Sequence, residues 1–147
     1  MTIEFRTPNG RMTIYADAFF EQQTITKIRK MLKCYRDSGP SDESIQMVKD
    51  LLRMKSDNER QREIEYRDRY AKEKEQLPVL ENYYQYLKSF SDDKDKVNQA
   101  KQKVSSCKSH MRVYLSSMNK AVRLSDKYIF IIEDVNRIFV KERSIRP

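Results

Sequence analysis

What this chain of 147 residues lacks most is turn-forming material: it has two glycines and four prolines. An all-β fold with many tight turns would need far more of both. Their scarcity suits long helices. There is no tryptophan, and His110 is the single histidine. The two cysteines, Cys34 and Cys107, lie far apart in sequence. A structural zinc site takes about four Cys or His ligands, and no second Cys/His pair exists to complete one with Cys107 and His110. With Gly10 and Gly39 as the only glycines, no glycine-rich phosphate loop can be built. No apolar run approaches the roughly 20 residues of a membrane span. Met1 to Gln23 has no apolar core beside a basic end, as a signal peptide would. The expectation is a cytoplasmic, reduced protein with both cysteines as thiols.

What is present is charge. Charged residues make up 35% and hydrophobic residues 38%, with a net charge of +8. A chain of this size is one domain, or one small domain plus an extended element, with a thin core and a highly charged surface.

The start reads as a β-hairpin, TIEFRT and MTIYA around PNGR. A four-residue loop from Pro8 to Arg11 pairs Thr7 with Met12, Phe5 with Ile14 and Ile3 with Ala16, and places Pro8 at the first inner turn position. That register gathers Ile3, Phe5, Met12, Ile14 and Ala16 on one face. A lone hairpin is barely stable, so this face must pack on something, a helix being the obvious candidate. Ile25, Ile28, Met31, Leu32 and Tyr35 mark one helix over about Asp17 to Asp37, stopped by Gly39 and Pro40. Ser41 caps a second helix, with Asp42 and Glu43 in its positive first turn and Ile45, Val48, Leu51 and Leu52 as its buried stripe. From Arg53 to Gln76 the apolar pattern collapses into mixed charge with acid-before-base pairs four apart, as in a solvated helix or arm. Pro78 marks a restart, and Leu80, Tyr83, Tyr84, Leu87 and Phe90 form an aromatic-rich apolar face. Ser91 is a candidate cap for the next helix.

The last third holds the clearest regularity. Val97, Ala100, Val104, Cys107, Met111, Tyr114, Met118, Ala121, Ser125, Tyr128, Ile132, Val135 and Phe139 step by alternate threes and fours. That is a heptad seam of about six repeats, with Ser125 its one clearly polar position. Leu115, Val122 and Ile129 widen the stripe, which suits packing against two neighbours. Unbroken, this helix would run about 64 Å; either it bends near Ser125-Asp126 or it forms a coiled coil. The fold class is therefore mainly α with a small N-terminal β-hairpin, a helical bundle or coiled coil with one long C-terminal helix. The expected divisions are residues 1–52 as a head, 53–76 as a charged arm or connector, and 77–147 as the aromatic-rich helix plus the long helix.

Catalysis needs convergent polar groups, and few are found. Cys107 and His110 are three apart, but no Asn or Asp is evidently placed to orient the imidazole, and such neighbours on one helix seldom align for proton transfer. The carboxylates between Asp42 and Glu75 alternate with bases, as ion-paired surface does. No catalytic residue, metal, cofactor or small-molecule substrate is expected. Tyr66, Tyr70, Tyr83, Tyr84 and Tyr86 lie among basic residues and could stack on bases, although aromatics at helical spacing usually pack.

The charge distribution is more informative. Residues 1–40 carry seven bases and four acids, residues 41–96 twelve and fourteen, and residues 97–147 eleven and four. Residues 96–125 contain no Asp or Glu at all. Lys101, Lys108, Arg112, Lys120 and Arg123 all fall off the seam, with serines and Asn119 among them. A solvated helix face normally mixes signs. One with bases and short hydroxyls but no acid suits a polyanion, whose phosphates the bases neutralise. The alternative is an acidic protein partner, such as Asp92, Asp93 and Asp95 or the acidic middle of a second copy.

The N-terminal TIEFRTPNGRMTIYADAFFEQ resembles the openings of small accessory proteins carried by phages and mobile genetic elements, a group that includes anti-CRISPR inhibitors. The resemblance covers roughly the first 23 residues and transfers no residue roles. It implies a protein that binds host machinery. The expected function is thus non-enzymatic: a basic helical protein that occludes nucleic acid or a ribonucleoprotein complex through Lys101, Lys108, Arg112, Lys120 and Arg123. The competing expectation is a homodimer that self-associates through Val104, Met111, Tyr114 and Met118.

Overall fold

The computed structural model describes residues 2–7 and 10–145. Its elements are β1 (Thr2–Thr7), β2 (Gly10–Tyr15), α1 (Ala16–Gln22), α2 (Ile25–Asp37), α3 (Asp42–Phe90) and α4 (Lys94–Ile145). The expected class holds: a mainly helical protein with one antiparallel hairpin and a long C-terminal helix packed on the helix before it. The chain separates into two compact units, residues 1–59 with 123–147, and residues 60–122.

In the first unit, the hairpin pairs Thr7 with Gly10, Phe5 with Met12 and Ile3 with Ile14. This corrects the expected register by two residues. A slip of two keeps every side chain on its face, so the inward set survives: Ile3 and Ala16 are buried and Ile14 packs on the core. The shorter connection is available because Gly10 opens β2 at φ 117°, a conformation that favours glycine. The expected turn role of Pro8 and the side chains of Phe5 and Met12 lie outside the described residues.

The single helix expected over 17–37 is two. Gln23 and Thr24 are extended, and the Thr24 hydroxyl accepts from the Lys27 N–H at 3.4 Å, capping α2. The last turn of α1 has no base of its own. Lys127 of α4 supplies one, its Nζ donating to the carbonyls of Glu21 (3.0 Å) and Gln23 (2.6 Å). Burial lowers the Lys127 pKa, and Glu21 partly offsets the shift. Gly39 takes φ 69° after α2, and Ser41 caps α3 as expected, accepting from the Ser44 N–H at 3.1 Å.

These elements enclose one core. Ile3, Phe20, Ile28, Leu32, Val48, Leu52, Tyr128, Ile131 and Val135 are each 2% exposed or less. Tyr35 meets Phe139 edge-on at 5.9 Å between ring centres. Two polar contacts adjoin the core, one buried and one half-buried. The polar seam position Ser125 meets Ser56, hydroxyl to hydroxyl at 2.9 Å. The buried Asp134 carboxylate accepts from Arg29 Nε at 2.8 Å and lies 3.7 Å from Arg137. The Arg29 guanidinium also lies over the Phe130 ring, 5.2 Å from its centre.

The second unit is made of α3 from residue 60 onward and α4 up to residue 122. The expected restart at Pro78 is absent, because α3 passes through it. The segment read as a solvated arm carries a seam of its own. Glu63, Tyr66, Tyr70, Glu73, Leu77, Leu80, Tyr84 and Leu87 step by threes and fours, and all are buried or half-buried. After Phe90, Asp93 rather than Ser91 caps α4, its carboxylate accepting from the N–H groups of Asp95 (3.1 Å) and Lys96 (3.3 Å). The two helices run antiparallel here: the Tyr66 and Tyr114 rings lie tilted to each other with centres 6.1 Å apart, and the Glu73 carbonyl meets Cys107.

Every expected seam position of α4, from Val97 to Phe139, is buried or half-buried. Val104, Met111, Tyr114 and Met118, expected to join two copies, are therefore engaged within the chain. The widened stripe finds no second neighbour in this unit: Leu115 is 45% and Val122 38% exposed.

Candidate functional site

The seam turns one face of α4 inward and leaves the rest free. Lys101, Lys108, Arg112 and Lys120 are all exposed on the second unit. Arg123 is exposed too, but it belongs to the first unit, so the five expected cations do not form one described patch. Lys101, Lys108 and Arg112 are seven and four residues apart and form a line along one flank of the helix. Ser105, Ser116 and Asn119 fall on or beside that line.

On this flank lies a groove of about 330 Å³, lined by Tyr70, Leu77, Lys108, Met111, Arg112 and Leu115. Lys108 and Arg112 were expected on the α4 side. Tyr70 and Leu77 on the α3 side were not assigned a groove. No carboxylate lines it. Glu81 stands nearby, 3.8 Å from Lys108 Nζ, with both side chains about half exposed. Such a pair in water is worth less than about 1 kcal/mol. Among the described residues, Lys101, Arg112 and Lys120 form no ion pair.

The opposite flank differs. Its groove, about 490 Å³, is lined by Glu73, Gln76, Leu80, Gln99, Gln102, Lys103, Ser106, Cys107 and His110. Here α3 brings a carboxylate to the cysteine and histidine of α4: Glu73 Oε1 lies 3.4 Å from His110 Nδ1. That partner is not legible in the sequence, because the helix pairing sets it. The arrangement still does not make a nucleophile. The Cys107 thiol donates to the Glu73 backbone carbonyl at 3.2 Å. Burial, then the contacts and charges of Glu73 and Glu81, push its pKa up to about 11. A reactive thiol needs the opposite shift. Among the described residues no group of three or more His, Cys, Asp or Glu could hold a metal ion, and no helix is long and apolar enough to cross a membrane.

A third feature lies toward the end of α3. Val79, Tyr83, Tyr86 and Phe90 are 67%, 51%, 60% and 77% exposed. Their spacing of four, three and four places them on one helix face outside the seam. Tyr86 and Phe90 meet at 5.3 Å between ring centres.

No protein-family model, curated protein or solved structure matches this chain.

Proposed function

We propose that the protein binds nucleic acid, or a complex loaded with it, along the basic flank of α4 in the second unit, and acts by occlusion. The observation that carries this reading is the groove in which Lys108 and Arg112 share walls with Tyr70 and no carboxylate. Cations on a fixed helix neutralise phosphates and release counterions, and the adjoining hydroxyls donate short hydrogen bonds. A face evolved only for solubility would mix signs, as the α3 segment from Arg53 to Gln76 does. The resemblance of the first residues to accessory proteins of mobile elements, including anti-CRISPR inhibitors, is compatible with such an occluding role. Reversing both cations, Lys108→Glu with Arg112→Glu, should weaken binding of a labelled oligonucleotide at least tenfold while leaving the circular dichroism melt unchanged. Equal affinity before and after, with no response to added salt, would remove this function.

A second reading has an observation of its own. With the α4 seam engaged within the chain, the exposed stripe of Val79, Tyr83, Tyr86 and Phe90 is the surface suited to a second copy. Its four-three-four spacing is self-complementary when two such helices meet antiparallel, Val79 opposite Phe90 and Tyr83 opposite Tyr86. Light scattering at micromolar concentration decides this. A dimer that Phe90→Glu dissolves supports the stripe, and a monomer excludes it.

A further inference from the structure

We infer that the groove between Tyr70 and Leu77 on α3 and Lys108, Met111 and Arg112 on α4 receives an unpaired nucleobase, so that the protein prefers single-stranded to duplex nucleic acid. The inference rests on the nucleic-acid reading above and specifies its ligand. The groove's residues sort into two kinds. Tyr70, Leu77 and Met111, half-buried, and Leu115, 45% exposed, offer a ring and apolar surface, whereas Lys108 and Arg112 are exposed cations. That is what a single nucleotide requires: a π-face to stack on, with cations outside to meet its phosphates. Lys108 and Arg112 are four residues apart, about 6 Å along the helix axis, so both address the same short stretch of backbone.

Beyond the lining residues, α3 brings one base and one acid to this flank: exposed Lys74, four residues after Tyr70 and three before Leu77, and Glu81, four residues after Leu77 and 3.8 Å from Lys108 Nζ. At about 330 Å³ the groove is at the small end of ligand sites, enough for a planar ring and not for a folded ligand. Its apolar floor can recognise the face of a base, whichever base it is. In a duplex those faces are stacked on each other and only the edges are offered to a protein. The opposite groove sets Glu73 against Lys103 and His110 and so lacks an acid-free lining.

The test compares three probes of equal length by fluorescence anisotropy at low salt: a thymidine 20-mer, an abasic strand with the same phosphates, and a 20-base-pair duplex. The thymidine strand should bind at least tenfold tighter than the abasic one, and tighter than the duplex. Tyr70→Leu keeps apolar bulk in the seam and should erase that advantage while leaving abasic binding unchanged; Tyr70→Phe keeps the ring and should retain it. Thymidine and abasic strands bound alike, or a Tyr70→Leu protein that still separates them, would overturn the base pocket and leave phosphate binding standing. No binding of any probe would overturn both readings.

Discussion

The two units are built from the same two long helices but stabilised differently. In the first, α3 and α4 are covered by the hairpin, α1 and α2, and Leu52, Tyr128 and Ile131 are almost completely removed from water. In the second, α3 and α4 have only each other. Among the residues described there, Leu87, Ala100, Val104, Cys107 and Ala121 are the buried apolar positions, and most are small. Glu63 and Glu73 occupy seam positions that an apolar residue would fill in a more stable pair. The difference separates two tasks. A unit with six packed elements can hold a structure, and a two-helix unit leaves its flanks open to a ligand. The basic flank and the exposed aromatic stripe both lie on the second unit.

The largest expected effect lies in the first unit. Phe20→Ala should lower stability by about 3–5 kcal/mol, because it opens a cavity that surrounding elements cannot close. Val104→Ala, in the thin seam of the second unit, removes about two methylene equivalents and should cost about 1.6 kcal/mol. Guanidinium unfolding of both variants checks the contrast, which fails if the two losses are equal.

Pro78→Ala sharpens the account of the second unit from the other direction. A proline inside a helix removes one hydrogen bond and clashes with the preceding turn, at about 3 kcal/mol. Since α3 continues through Pro78, alanine should stabilise the protein by up to that amount. If α3 were broken at this point, the substitution would bring little or no gain in the unfolding midpoint.

The parts of this contrast were unequally legible in the sequence. The α4 seam could be read because nearly every position is apolar, and its one exception, Ser125, found Ser56 across the pair. The α3 seam could not, because Ser56, Glu59, Glu63 and Glu73 sit where apolar residues would announce it. Their neighbours Arg53 to Gln76 then read as a solvated arm. Pro78 added to that impression, since proline usually ends a helix. The break at Gln23-Thr24 has one local mark, the Thr24 hydroxyl that caps α2, while the base that meets the end of α1, Lys127, lies about a hundred residues away where no local pattern shows it. Of the candidate site, the cations of α4 were visible as a composition without acid. Tyr70 was visible only as one of five tyrosines among basic residues and Leu77 not at all, until antiparallel pairing set both beside Lys108 and Arg112.

The smallest expected effect concerns the thiols. Cys34 is exposed and Cys107 buried, so iodoacetamide at pH 8 should modify Cys34 and spare Cys107. The Cys107 pKa rises on folding from 9.0 to about 11. Its unfolded form therefore loses its proton first as pH climbs. The contribution of the neutral buried thiol is complete below about pH 9 and is lost progressively toward about pH 11. Modification of Cys107 as fast as Cys34 at pH 8 would show that the second unit opens far more readily than its seam implies.

The central claim is that exposed cations on the second unit meet phosphates, and the salt dependence of binding tests it most directly. For a single strand, log affinity should fall against log salt with a slope of about −0.7 per phosphate contact, or about −2 to −3 if Lys101, Lys108, Arg112 and Lys120 supply three or four. Replacing Lys108 and Arg112 with Gln should flatten that slope by about 1.4. A slope near zero in the parent protein, or one unchanged by the double substitution, would contradict it.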